Sequence, residues 1–299
     1  MHVPFSTTVA VTGIALAIAA PVASQAIPEI IERVAQTADS GYLANHTGQP
    51  VRVFRHVARA PGRAWLQLQF KHCNLPAGSF LRLTSVLDGA VETFEAHSLA
   101  DYDELSSAFN GDSVTVELIA GANTAGNRVQ LVELLAGVGP APLPPTICGP
   151  TDDRRPSNDM RQGRQHPTGC TAWLGTPTTA FTAGHCISSS QQNIHFNVPL
   201  STSTGRKVLP PPKDQYRFDM STLRRLGAGV GADWAVVSVF RNATTGFYPG
   251  QAQGAWYNVT QPPGNTSGQT IRITGYGTTG SSVPRQWNQA QKTHTGPMV

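Results

Sequence analysis

Two stretches of the sequence hold residues whose types and spacing can do chemistry. The first runs Gly169-Cys170-Thr171-Ala172-Trp173-Leu174, passes a few turn residues and continues Ala180-Phe181-Thr182-Ala183-Gly184-His185-Cys186. It reads as a strand, a tight turn and a second strand that ends at a histidine flanked by Gly and Cys. An imidazole held at a rigid strand end is placed to act as a general base. The second stretch is Gly231-Ala232-Asp233-Trp234-Ala235-Val236-Val237. Here an acid opens an apolar strand, which carries its carboxylate to the edge of the core. A carboxylate held there needs a hydrogen-bond donor to stay ionised. Asp214 and Asp219 are competing acids, but neither opens a comparable apolar strand.

The four cysteines, Cys73, Cys148, Cys170 and Cys186, form no Cys-x-x-Cys pair, which argues against a zinc ribbon or a thioredoxin-like site. In an oxidising compartment disulfides are the default reading. A bridge between Cys170 and Cys186 would stabilise the fold by ~3 kcal/mol and pin His185 to its strand pair. Cys73 and Cys148 either pair with each other or each await another partner. His46, His56, His72 and His97 are scattered without metal-ligand spacing, so no metal site is expected.

The run Thr182-Ala183-Gly184-His185-Cys186 resembles the motif that carries the catalytic histidine of chymotrypsin-like (trypsin-like) serine proteases. With Cys148-Gly149 and Asp152-Asp153-Arg154 ahead of Gly169-Cys170-Thr171-Ala172-Trp173, the pattern is most similar to exported bacterial members. The resemblance spans residues 148–277. It implies a Cys170–Cys186 disulfide, His185 as general base and Asp233 as the acid that orients it. It also implies a double β-barrel, a polypeptide substrate and no cofactor. Ile271-Arg272-Ile273-Thr274-Gly275-Tyr276-Gly277 is similar to the strand that opens the second barrel of that family.

The family's nucleophile lies in a Gly-[Asp/Asn]-Ser-Gly turn, and no such tetrapeptide occurs. Gly111-Asp112-Ser113 is followed by Val114 and precedes the histidine. Ser281 and Ser282 follow Gly280 in what should be a loop. The expectation is a secreted serine endopeptidase whose sequence stops before the serine-bearing segment, leaving an incomplete second barrel and little or no activity. The alternative is a secreted, non-catalytic binding protein with a pseudoprotease module. A third reading makes the N-terminal part a folding aid or inhibitor.

The elements that must position these residues are strands. The chain has 299 residues, with 29 Gly, 23 Pro and only 13% charged residues, which points to turn-rich β structure. Heptads for a coiled coil are missing. At 39% hydrophobic the chain can pack cores, and a net charge of +4 is too small to argue for nucleic acid. Val9–Ala23 is an apolar run too short for a membrane span. Residues 1–26 therefore read as a secretory signal peptide, so the mature protein is expected to be soluble, extracellular or periplasmic, and off the membrane. Residues 27–47 form a short N-terminal segment, in which Pro28-Glu29-Ile30-Ile31 and Val34 suit a turn or two of helix. Alternating runs such as Trp65-Leu66-Gln67-Leu68-Gln69-Phe70 make residues 48–138 a β-sandwich. Residues 139–165, rich in Pro and then Arg, read as an exposed linker open to processing. Residues 166–299 would be the peptidase domain. The fold class is all-β: an N-terminal β-sandwich followed by an incomplete chymotrypsin-like double β-barrel.

Overall fold

A computed structural model describes residues 29–140, 151–187, 192–229, 231–261, 264, 268–280 and 282–297. Residues 1–26, expected from the sequence to be a signal peptide, lie outside the described residues, as do Cys148 and Ser281. The fold is all-β. Among the described residues no helix is long and apolar enough to cross a membrane.

The N-terminal body contains β1 (Glu29–Asp39), β2 (Leu43–Asn45), β3 (Val51–Arg59), β4 (Trp65–Phe70), β5 (Phe80–Ser85), β6 (Val91–Phe94), β7 (Phe109–Asn110), β8 (Ser113–Ala120), β9 (Thr124–Asn127) and β10 (Gln130–Pro140). They form one sheet ordered β1-β10-β4-β7, a second ordered β3-β8-β5-β6, and the small pair β2-β9. Alternation sets the core. Leu66, Leu68 and Phe70 of β4 meet Leu81 and Leu83 of β5 and Val114, Val116 and Leu118 of β8 in one buried cluster.

The short helix expected at residues 28–34 is instead the first part of β1, which pairs antiparallel with β10 from Glu29↔Pro140 to Asp39↔Gln130. The β-branched Ile30, Ile31 and Val34 favour extended backbone, and the long β10 offers a ladder that an isolated turn of helix cannot match. The segment 27–47 is therefore part of the sandwich.

The C-terminal body contains β11 (Arg155–Pro156), β12 (Gln162–His166), β13 (Thr171–Leu174), β14 (Thr179–Thr182), β15 (Asn193–His195), β16 (Gln215–Gly227), β17 (Asp233–Val239), β18 (Thr270–Tyr276) and β19 (Gln291–Pro297). Six of these close a barrel in the order β12-β13-β14-β17-β16-β15. Leu174, Ile194, Phe196, Phe218, Val237 and Val239 fill it. The run 271–277 lies outside this barrel, in a separate sheet ordered β11-β19-β18.

The exposed linker expected over 139–165 needs correction for its second half. Arg154 donates to Thr278 O, and Asp152 accepts from Gly280 N. β11 pairs with β19. β12 is a barrel strand with Arg164 only 1% exposed. Its charge is tolerated inside because its guanidinium donates to the carbonyls of Gln289 and Val208. Gly163 is required beside it, since a Cβ there would lie 2.4 Å from Ile194 Cγ1.

The two bodies dock tightly. The Gln215 side chain pairs with both backbone groups of Ala108, at 2.9 and 2.7 Å. Arg217 reaches Asp103, and the Tyr102 hydroxyl donates to Arg241 O. Phe240 and Ala243 pack against the sandwich core. These contacts gather at the start of β16 and beyond the end of β17. Asp233, at the opposite end of β17, lies roughly 20 Å along the strand from this cluster of contacts.

Glu92 lies buried on the sandwich side of this seam and accepts from Ser107 N and Ser107 Oγ. Burial pushes its carboxyl up from 4.5 to about 8. Between those two values the folded chain holds a proton that the unfolded chain has released. Stability contributed by this group therefore falls as pH rises through that window, by up to about 1.4 kcal/mol per pH unit. Glu92→Gln should remove the penalty. Thermal melts are expected to show a gain over the parent that is larger at pH 8 than at pH 5; an equal difference at both would refute the buried, protonated Glu92.

Candidate active site

The Ala180–Cys186 run folds as its local sequence dictates. β13 and β14 pair across a tight turn, with Trp173 opposite Phe181 and Leu174 opposite Ala180. After β14 the chain turns through a 3-10 helix, Gly184–Cys186, and places His185 at the barrel rim. Cys170 and Cys186 form a disulfide with Cα atoms 6.2 Å apart. It ties the entrance of β13 to the turn that carries His185.

β14 also pairs with β17, Thr182 opposite Ala235. This register brings Asp233 beside His185. Asp233 Oδ2 lies 2.5 Å from His185 Nδ1, and Asp233 Oδ1 accepts from the His185 backbone N at 2.9 Å. One carboxylate thus holds both the ring and the backbone of the same residue. The hydrogen bond from His185 is the main cause that lowers the Asp233 carboxyl below its ordinary value. With Nδ1 held as donor, Nε2 is left as the basic nitrogen. It lies 3.4 Å from Cys186 Sγ. The competing acids are engaged elsewhere: Asp214 accepts from Asn197, and Asp219 from Ser221.

A cavity of about 330 Å³ opens beside the pair, with Trp173, Trp234 and the disulfide among its walls. Among the described residues no serine lines it. Its hydroxyls are engaged: Thr171 Oγ1 accepts from Tyr276 N, Thr182 Oγ1 donates to Thr171 O, and the Tyr276 hydroxyl donates to Gln162 O. Ser282 is exposed and outside the lining. Ser113 donates to Asp112 at the start of β8, in the other body. No described residue of the sandwich reaches the cavity.

No family model and no curated protein matches this chain.

Cys170, His185 and Cys186 bring three metal-donor atoms within 4.8 Å of one another. Both sulfurs are spent in the disulfide, which removes the thiolates a soft metal would need. Two Asn-x-Ser/Thr sequences are equally closed: Asn45 Nδ2 donates to the carbonyls of Gln49, Ala120 and Gly121, and Asn242 Nδ2 to those of Pro212 and Gln215. Reading the sequence missed the indole of Trp234 as a cavity wall, although its place beside Asp233 was the signal. It also missed the buried histidine His166, which no local pattern marks.

Proposed function

We propose that the chain carries the base and its orienting acid of a secreted serine endopeptidase of the chymotrypsin-like kind, acting on polypeptides without a cofactor. The observation that supports this most is the two-point grip of Asp233 on His185. In the intact site His185 Nε2 takes the proton of an attacking serine and returns it to the leaving amine. Asp233 keeps the ring in the useful tautomer and stabilises the imidazolium. The nucleophile comes from residues outside the described ones. The engagement of every described hydroxyl on the cavity wall favours the second reading, a non-catalytic binding protein with a pseudoprotease module. Among the described residues none of the sandwich lines the cavity beside His185, so a role as folding aid fits its position better than occlusion of His185.

The test reads the coding sequence beyond codon 299 and expresses the chain together with any downstream codons. A Gly-[Asp/Asn]-Ser-Gly turn and peptide hydrolysis are expected, with Asp233→Asn lowering kcat about 10⁴-fold. A stop with no such motif in any frame would favour the binding protein.

A further inference from the structure

A column of three aromatic rings crosses the seam between the two bodies. Trp65 of β4 meets His166 of β12 edge-on, with ring centroids 4.7 Å apart, and His166 stacks on His195 of β15 at 4.9 Å. All three residues are at most 2% exposed. His166 Nε2 and both ring nitrogens of His195 have no hydrogen-bond partner among the described residues. The charged groups that face the pair are Arg164 from β12, Lys207 from the loop before β16, and Glu29 from β1. Glu29 is already paired with Lys207 at 2.7 Å. The neighbourhood therefore holds two cations against one carboxylate.

We propose that the His166–His195 pair is an acid-sensitive joint, whose protonation undocks the sandwich from the barrel. A protonated ring would bring another N–H without an acceptor and another charge beside Arg164 and Lys207. Undocking puts both rings into water and relieves this. Burial and the two neighbouring cations hold both rings well below their ordinary value of 6.5. A group depressed in the folded state contributes stability that is present above its unfolded value and lost as pH falls. The docked state is therefore favoured at neutral pH and weakens below 6.5. For two rings that stay neutral while docked, the docked-to-undocked ratio falls about 10⁴-fold by pH 4.5. Glu92 acts in the opposite direction over the same range, so the two effects separate by variant.

The Ala108 amide reports docking, because its acceptor is Gln215 Oε1 across the seam. Its hydrogen-exchange protection factor should be followed from pH 7.5 to 4.5 on the full chain, together with ¹⁵N shifts of the labelled histidines. The expected result is that two buried rings charge in the same pH step in which Ala108 loses protection and the scattering radius grows. In a variant carrying His166→Phe and His195→Phe that step should flatten. Loss of Ala108 protection while the rings remain neutral would overturn the proposal. So would rings that charge with Ala108 still protected, or an unchanged step in the variant. Should the variant fail to fold, the coincidence of the two titrations in the parent decides by itself.

Discussion

Incubated with a fluorophosphonate probe, the folded 299-residue chain is expected to take up no label and to hydrolyse no peptide. Such a probe needs a hydroxyl within hydrogen-bond reach of an activated base. His185 is well placed as that base, with Asp233 holding it at two points. Every described hydroxyl on the adjoining wall already accepts or donates within the fold: Thr171 to the backbone of β18, Thr182 to the backbone of β13, Tyr276 to β12. Releasing any of them would break a contact that holds the barrel to the β18–β19 hairpin or closes the barrel itself. The measurement compares the parent with His185→Ala after a cooperative melt has established that both are folded. Labelling that persists in His185→Ala would be nonspecific chemistry. Labelling lost in His185→Ala would reveal a serine nucleophile, with Ser281 and Ser282 the first to be tested, and would refute the expectation.

What could be read from the sequence was what short-range pattern encodes. The alternation in Leu66, Leu68 and Phe70 identified a sandwich strand, and the Thr182–Cys186 run singled out His185, which the fold sets against Asp233. Asp233 stood out because it opens an apolar strand, and the contact with His185 that the resemblance implied is present. Features set by distant partners were hidden. β1 is a strand because β10 is there to pair with it, not because of its own periodicity. Trp65 and Gln67 sit on the polar-looking face of β4, yet both are buried, since Gln67 donates to Ser106 O and Trp65 meets His166. β12 reads Gln-Gly-Arg-Gln-His, with no apolar residue, and still forms a barrel strand. The side chains of Gln162, Arg164 and Gln165 find acceptors contributed by residues from 186 to 289, and no window of 18 residues contains them.

That strand supplies a large stability effect, and one the composition of residues 139–165 would not suggest. Arg164→Ala should lower the unfolding free energy by about 3 kcal/mol or more. The substitution removes two charge-assisted hydrogen bonds and leaves the Gln289 and Val208 carbonyls unpaired in the interior. It also leaves a void where the buried Arg164 side chain was packed. Arg155→Ala, earlier in the chain on the exposed β11, should change stability by no more than ~0.5 kcal/mol. Urea unfolding of the two variants measures the contrast. An arginine-specific protease gives an independent reading on the unaltered chain. The bond after Arg164 should resist cleavage until the barrel itself unfolds, because both its backbone and its side chain are inside. Ready cutting after Arg164 under native conditions, or equal stability losses for the two alanine variants, would mean that this segment is the loose tether its composition suggests. The barrel would then have to close without β12.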